Sequence, residues 1–328
     1  MTNIIAEIGS VHDGSFGNAL RLIDAVVEAG ADTVKFQTHI AEAESLPNAP
    51  APAYFSDEPR VAYFKRTGFS PQQWRQLVRH AESCGIKFLS SPFADAAVDL
   101  LEEIGVTAYK VPSGEVTNIP LLERIAATGK PVLLSSGVSN WSELDRAVET
   151  MKGSCELTVM QCTSAYPCPP EKVGLNVIGE LAARYELPVG FSDHTMGFAA
   201  PFAAAALGAT VIEKHFTFSR RMYGSDAKNS MEPGEFRVLT AGLREIWRMS
   251  ESPVNKDDNT AYNEMKRIFQ KSIVSARALS GGATVTRDML AFKKPGDGIP
   301  AADYTSLLGK RLRADIPADH QFSSQDFE

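Results

Sequence analysis

Short apolar runs alternate with amphipathic stretches eight times before the sequence changes character near residue 250. Each apolar run is bounded by Gly, Pro or polar residues and is too short for a helix, which is typical of buried strands. The predicted strands are Ile4–Ile8, Thr33–Phe36, Lys87–Leu89, Ala108–Val111, Pro131–Leu134, Leu157–Gln161, Pro188–Gly190 and Thr210–Glu213.

The stretches between these runs carry apolar residues at helical spacing. The predicted helices are Asn18–Ala29, Pro71–Cys84, Asp95–Ile104, Pro120–Thr128, Ser142–Met151, Val177–Tyr185, Ala199–Leu207 and Pro233–Met249. Strict strand–helix alternation predicts a parallel sheet with right-handed crossovers. Eight repeats in this length predict a (β/α)8 TIM barrel, with a doubly wound open sheet as the alternative.

The alternation stops after Met249. The next thirteen residues, SESPVNKDDNTAY, are polar and charged, as in a linker. Beyond them, short apolar runs such as Ser272–Ala276 alternate with glycine- and proline-containing turns. We therefore predict a barrel over residues 1–250, a linker over 251–270 and a small, mostly β domain over 271–328.

The charge and cysteine content exclude some classes of protein. The formal net charge is -7 and there is no long basic run, so a nucleic-acid-binding protein is not expected. The four cysteines form no CxxC pair and are expected to be free thiols. The sequence shows neither a secretory signal nor an apolar run long enough to span a membrane, so we expect a cytoplasmic protein without a membrane partner.

Polar residues stand at the carboxyl end of every predicted strand, where a (β/α)8 barrel carries its active site. Lys35 and Lys110 supply positive charge at two of these ends. Ser91, Ser113 and Ser135 supply hydroxyl groups at or near three of them. Together they predict a binding site for a phosphate-bearing anion.

Two histidines predict a metal site at the same end of the barrel. His194 and His215 end the seventh and eighth strands, and two neighbouring imidazoles can hold one divalent ion. Glu7, on the adjacent first strand, is a candidate general base or holder of a metal-bound water. A lone histidine is more often structural, and that role is assigned to His12, His39, His80 and His320.

Seven motifs, in order along the chain, resemble those of the sialic acid synthase family. They are Ala6-Glu7-Ile8-Gly9 with His12-Asp13-Gly14, Val34-Lys35-Phe36-Gln37, Tyr109-Lys110-Val111-Pro112-Ser113-Gly114-Glu115, Leu134-Ser135-Ser136-Gly137, Cys162-Thr163 through Tyr166-Pro167, Gly190-Phe191-Ser192-Asp193-His194-Thr195 and Glu213-Lys214-His215-Phe216-Thr217. The C-terminal segment resembles the antifreeze-like (SAF) domain that follows the barrel in this family.

The resemblance implies a transferase that joins phosphoenolpyruvate to an N-acetylated hexosamine, giving a nine-carbon 2-keto-3-deoxy sugar acid and releasing phosphate by C–O cleavage. The implied phosphoenolpyruvate ligands are Lys35, Ser91, Lys110, Ser113, Ser135 and Ser192. His194 and His215 are the implied ligands of Mn2+, with Mg2+ or Co2+ as alternatives, and Glu7 acts on the water. The implied sugar contacts are Gln37, Tyr166, Asp226 and Lys294.

The family also implies a domain-swapped homodimer in which the small domain of one chain covers the barrel of the other. Two departures leave the sugar open between N-acetylmannosamine and a 2,4-diacetamido-trideoxyhexose. Lys294 stands where the family usually has Arg, and Lys lacks the planar guanidinium. The loop Met222–Asp226 also differs from the form associated with N-acetylmannosamine.

Two other functions are weighed against this one. A related barrel enzyme that makes a seven- or eight-carbon sugar acid phosphate needs a second phosphate site, and no further cluster of Arg and Lys stands at a strand end. A non-catalytic carbohydrate-binding protein has no need of paired lysines and paired histidines at one rim.

Overall fold

The computed structural model of the chain describes residues 2–50 and 58–328. The chain divides into two compact units, Met1–Ser252 and Pro253–Glu328. Within the described residues, no helix is both long enough and apolar enough to cross a membrane.

The first unit is a closed barrel of eight parallel strands, each paired with the next along the chain, and the eighth with the first. The strands are β1 (Asn3–Gly9), β2 (Thr33–Thr38), β3 (Lys87–Pro92), β4 (Tyr109–Val111), β5 (Val132–Ser135), β6 (Leu157–Cys162), β7 (Val189–Asp193) and β8 (Val211–His215). The predicted (β/α)8 barrel is therefore confirmed, and the open-sheet alternative is wrong.

Ten α-helices are described in this unit. They are α1 (Phe16–Glu28), α2 (Ala41–Glu44), α3 (Arg60–Thr67), α4 (Pro71–Ser83), α5 (Asp95–Ile104), α6 (Ile119–Ala126), α7 (Trp141–Met151), α8 (Asn176–Tyr185), α9 (Ala199–Ala206) and α10 (Pro233–Ser250). Eight of them match predicted helices to within two residues at each end. The short helices α2 and α3 were not predicted, and both lie in the connection between β2 and α4.

Local sequence explains where helices such as α4 and α7 begin. Ser70 caps α4 and Asn140 caps α7, each in a reciprocal capping box with the residue three positions on. The apolar face of each helix packs on the outer face of the barrel, as Trp74, Leu77 and Ala81 do from α4.

Several strands extend further than predicted at their carboxyl ends. We expected β3 to end at Leu89 and β7 at Gly190, but they continue to Pro92 and Asp193. The polar residues among the extra ones, Ser90, Ser91, Ser192 and Asp193, are buried, and their side chains find partners such as Lys35 for Ser91 and Lys214 for Asp193. Site residues expected just after the strands, such as Ser91 and Ser192, therefore lie within them.

The second unit contains α11 (Asn263–Phe269), β9 (Ser272–Ser275) and β10 (Leu290–Lys293). The two strands pair antiparallel, and further isolated bridges join the surrounding turns. Its own core includes Ile273, Val285, Leu312 and Phe322. Helix α11 lies in the stretch that we interpret as a linker. Its apolar residues Met265, Ile268 and Phe269 do have helical spacing, but seven residues are too few for a periodic pattern to stand out.

Candidate active site

Two layers of side chains fill the inside of the barrel. The lower layer is apolar and is contributed by Ile5, Leu89, Ala108, Leu133, Met160 and Val211. Because side chains of a strand alternate between its two faces, the residue two positions further on also points inward. These second residues are Glu7, Ser91, Lys110, Ser135, Cys162 and Glu213, and all of them line one cavity. The same strand pattern that closes the core thus places a polar layer directly above it.

This cavity has a volume of about 310 Å³ at the carboxyl ends of the strands. Every predicted site residue of the first unit lines it: Glu7, Lys35, Gln37, Ser91, Lys110, Ser113, Ser135, Tyr166, Ser192, His194, His215 and Asp226. Lys294 lies in the second unit, where its Nζ is 5.0 Å from the centre of the Phe269 ring. A role for Lys294 with the sugar stays a prediction.

Lys35 is a buried cation held between two carboxylates. Its Nζ lies 2.7 Å from Glu7 Oε2 and 3.7 Å from Glu213 Oε1, and it donates a hydrogen bond of 3.3 Å to Ser91 Oγ. Burial lowers the pKa of Lys35, but the charges of Glu213 and Glu7 outweigh that effect and hold the pKa above its ordinary value. Lys35 is therefore charged at neutral pH.

Lys110 is less well compensated. Its Nζ lies 2.5 Å from Ser135 Oγ and 3.7 Å from Glu213 Oε2. Burial lowers the pKa of Lys110, and the attraction of Glu213 does not fully restore it. A buried ammonium group with one neutral hydrogen-bond partner and one distant carboxylate is suited to receive an anionic ligand.

Glu213 links the two lysines and has no assigned role in the sequence-based prediction. Ser192 Oγ donates to its Oε1 at 3.2 Å, whereas Oε2 is buried without a hydrogen bond among the described residues. Burial raises the pKa of Glu213, but Lys110 and Lys35 bring it below its usual range. The sequence could have placed Glu213 in the site, because Glu213 precedes His215 by two residues and therefore points to the same inward face of the strand.

His194 and His215 form an imidazole pair whose ring centres are 5.6 Å apart. His194 Nδ1 lies 2.8 Å from the carbonyl oxygen of Thr163, so Nδ1 carries a proton and Nε2 is left as the atom that could bind a metal. Nδ1 of His215 is buried and has no hydrogen-bond partner within the described part of the chain. Burial lowers the pKa of His215, which favours the neutral, metal-binding form.

The pair therefore fits a divalent transition-metal ion. A nitrogen ligand sits about 2.1 Å from such an ion, so two rings at this separation can both reach it. Two protein ligands leave the remaining positions to water or substrate, as a catalytic site requires.

The group Asp24, His80 and Cys84 also brings three potential ligand atoms together, on the outer helices α1 and α4. Its polar atoms already have partners. His80 Nε2 lies 2.6 Å from Asp24 Oδ1, and Asp24 Oδ2 accepts from Arg21 at 3.0 Å. The structural role predicted for His80 accounts for this group.

The connection between β2 and α4 supplies a wall of the cavity that we did not predict. His39, Arg60 and Phe64 come from this connection, and Phe93 follows β3. His39 was expected to be structural because a lone histidine more often is. Its place two residues after Gln37, just past the end of β2, was the available clue.

Gly9 allows Asp226 to approach the first strand. Its φ is +52°, and a Cβ at this position would lie 2.7 Å from Asp226 Oδ2. The same oxygen accepts a hydrogen bond from the backbone N–H of Ser10 at 3.3 Å. Asp226, which the sequence places in a loop far along the chain, is thereby held beside Gln37 and Glu7.

Comparison with known sequences shows two matches along the chain. Residues 22–255 match the model of the NeuB family, and residues 270–328 match the SAF domain. These ranges together span both units of the structure.

Individual proteins match over nearly the whole chain. The N,N'-diacetyllegionaminic acid synthase of Campylobacter jejuni is 36% identical, over 94% of this chain and 95% of its own. The human N-acetylneuraminate-9-phosphate synthase is also 36% identical, over 96% of this chain and 90% of its own. The sialic acid synthetase of Leptospira borgpetersenii, solved with citrate, superposes with a TM-score of 0.73 at 32% identity, covering 80% of this chain and 90% of its own.

Proposed function

The chain belongs to the NeuB family, and we propose that it condenses phosphoenolpyruvate with an N-acetylated hexosamine to form a nine-carbon 2-keto-3-deoxy sugar acid. Relatives of the chain are named as synthases of diacetyllegionaminic acid and of N-acetylneuraminate 9-phosphate, so the chain is a synthase of the same kind. The observation that carries the proposal is the pair of buried lysines, Lys35 and Lys110, beside the imidazole pair in one cavity.

Phosphoenolpyruvate brings a carboxylate and a phosphate, and the cavity offers donors for both. Lys35 with Ser91 and Lys110 with Ser135 form two cation–hydroxyl pairs. Ser113 and Ser192 add hydroxyl groups to the same wall. Each pair can donate charge-assisted hydrogen bonds to an anionic group, and the apolar layer beneath closes the floor of the site.

The proposed reaction forms a bond between C3 of phosphoenolpyruvate and the aldehyde carbon of the open-chain sugar. Water adds at C2, the bond between C2 and the bridging oxygen breaks, and phosphate leaves with that oxygen. Glu7 positions the water and takes its proton, while Gln37, Tyr166 and Asp226 contact the sugar. A divalent ion bound by His194 and His215, most simply Mn2+, would polarise the aldehyde oxygen as a Lewis acid.

The balance of charges in the cavity indicates that this ion would also help to bind phosphoenolpyruvate. The basic side chains Lys35, Lys110 and Arg60 are matched one for one by acidic side chains, namely Glu7, Glu213 and Asp226. A multiply charged anion therefore enters a cavity with no surplus positive charge. A bound divalent cation would supply that surplus, so we expect phosphoenolpyruvate to bind more tightly when the metal is present.

We propose an unphosphorylated amino sugar as the acceptor. Arg60 is the third basic side chain of the described cavity, and its Nε already donates to Ser45 Oγ at 3.1 Å. A sugar phosphate would require a cluster of basic side chains to bind its phosphate, whereas Arg60 stands alone. N-acetylmannosamine and a 2,4-diacetamido-trideoxyhexose both remain candidates.

The quaternary structure and the role of Lys294 are proposed on the family resemblance. We propose a homodimer in which the SAF domain of one chain covers the barrel of its partner, with Lys294 contacting the sugar. A cytoplasmic location stays a prediction.

The bond that breaks distinguishes this reaction from ordinary phosphoryl transfer. Phosphoenolpyruvate labelled with 18O in the oxygen between C2 and phosphorus is turned over with the sugar, and the released phosphate is analysed by mass spectrometry. C–O cleavage places the label in phosphate. Label retained on the sugar acid, with unlabelled phosphate, would refute the proposed reaction.

A further inference from the structure

A chain of hydrogen bonds leads from Glu7 away from the reaction centre. Gln37 Nε2 donates to Glu7 Oε1 at 2.8 Å. Gln37 Oε1 lies 3.1 Å from His39 Nε2. His39 Nδ1 in turn lies 2.9 Å from Glu44 Oε2. The four side chains thus connect the cavity to the unpredicted helix α2, which carries Glu44.

The ion pair at one end fixes the direction of the whole chain. Glu7 lies 2.7 Å from Lys35 and is ionised in that pair, so it can only accept hydrogen bonds. Gln37 must therefore point its amide nitrogen at Glu7 and its carbonyl oxygen at His39. An amide oxygen only accepts, so Nε2 of His39 must carry a proton.

The other end of the chain restrains the imidazole. The Glu44 carboxyl is 3% exposed, and one proton must lie between it and His39 Nδ1 for the 2.9 Å contact to be attractive. Burial lowers the pKa of His39, and the hydrogen bond and charge of Glu44 oppose this. The contact with Glu44 involves only Nδ1, so the proton on Nε2 is retained.

Aromatic packing fixes the plane of the ring. His39 stacks between Phe64 and Phe93, with ring centres 3.7 Å and 4.0 Å away and interplanar angles of 17° and 19°. The His39 side chain is 7% exposed. The ring therefore has little freedom to rotate away from Gln37, and a buried side chain held on both faces and at both nitrogens is pre-organised.

We propose that His39 and Glu44 are positioning residues that lock the carboxamide of Gln37 with its N–H directed at Glu7. This inference rests on the proposed function, in which Glu7 handles the attacking water. Without the lock, Gln37 can turn its amide over and present an oxygen to the carboxylate, which repels it. The water-activating group would then lose one of its two fixed partners, while the lysines that hold phosphoenolpyruvate are untouched.

Two substitutions of His39 separate this role from a structural one. In His39→Gln the amide nitrogen falls near the former Nε2, so the donor to Gln37 is kept and the bond to Glu44 is lost. In His39→Asn the amide nitrogen falls near the former Nδ1, so the bond to Glu44 is kept and the donor to Gln37 is lost. If His39 positions Gln37, His39→Gln should be more active than His39→Asn, whereas a purely structural role does not predict this order.

The kinetic measurement is kcat and the two KM values for each variant. We expect kcat to fall by about 10- to 100-fold in His39→Asn, the range typical when a supporting partner is removed, and by several-fold less in His39→Gln. The KM for phosphoenolpyruvate should stay within a factor of about three in both. Equal kcat values, or a more active His39→Asn, would overturn the proposal.

A spectroscopic measurement can test whether the Gln37 amide is held in place even if the variants show no turnover. With glutamine labelled by 15N, the Gln37 side-chain amide, assigned through a Gln37→Glu variant, should exchange slowly in the wild type and in His39→Gln, and rapidly in His39→Asn. Unaltered exchange in His39→Asn would refute the lock. A wild-type protein that turns over no amino sugar would refute the proposed function instead, and the amide exchange would still test this inference.

Discussion

Replacing Lys110 by Met tests the anion site most simply, because Met keeps the length of the side chain and removes its charge. Lys110 is 2% exposed, and its ammonium group is compensated by Ser135 and, at 3.7 Å, by Glu213. A hydrogen bond from a charged group contributes about 1.5–3 kcal/mol. At about 1.4 kcal/mol per factor of ten, the KM for phosphoenolpyruvate should rise roughly 10- to 100-fold.

The fold should survive this change. After Lys110→Met, Glu213 keeps Lys35 at 3.7 Å and the Ser192 hydroxyl at 3.2 Å, so it is not left without partners. The assay is steady-state phosphate release at varied phosphoenolpyruvate and saturating sugar, with binding checked by calorimetry.

Lys214 provides a matched control because it is equally buried but does not line the cavity. It pairs with Asp193 and with the Thr195 carbonyl on the outer face of the strand. Lys214→Met should lower the free energy of unfolding by about 3 kcal/mol, as loss of one partner of a buried pair does, without changing the KM for phosphoenolpyruvate. An unchanged KM in Lys110→Met, or the same rise in both variants, would refute the anion site.

Three further predictions concern pH, metal and the second unit. Burial lowers the pKa of Lys110, so its charge is lost at a lower pH than that of an ordinary lysine. In the wild type, kcat/KM for phosphoenolpyruvate should therefore fall as the pH rises through this pKa. The fall should be absent in Lys110→Met. His215→Ala should abolish Mn2+ binding in calorimetry and metal-dependent turnover, whereas His80→Ala, on the outer helix α4, should retain both. A chain ending at Ser252 should fold but lose most activity, because the proposed dimer needs residues 253–328; full activity would contradict that arrangement.

The barrel was predictable because burial imposes a simple period on each strand and helix. Eight strands and eight helices appear at the expected places, and the glycine between α1 and β2, Gly30, takes the positive φ that ends such helices. The strand ends were placed less well. Ser192 and Asp193 continue β7 because their polar groups are satisfied by Glu213 and Lys214, and such partners depend on tertiary contacts that local sequence does not encode.

The candidate site shows the same division. Residues on the inward face of a strand, such as Lys35 and Lys110, could be grouped from the barrel geometry alone. The wall formed by His39, Arg60 and Phe64 could not, because helices α2 and α3 are short and their place over the cavity depends on packing. Glu213 was visible beside His215, but its role required knowing that two lysines converge on it.

Phosphate release from phosphoenolpyruvate in the presence of Mn2+, measured across a panel of sugars, tests the central proposal most directly. The panel contains N-acetylmannosamine, 2,4-diacetamido-trideoxyhexoses, mannose and arabinose 5-phosphate. We predict release with one unphosphorylated N-acetylated sugar and its loss on addition of a chelator. Release with arabinose 5-phosphate alone would assign the chain to the synthases of shorter sugar acid phosphates, and no release with any sugar would contradict the proposed enzyme.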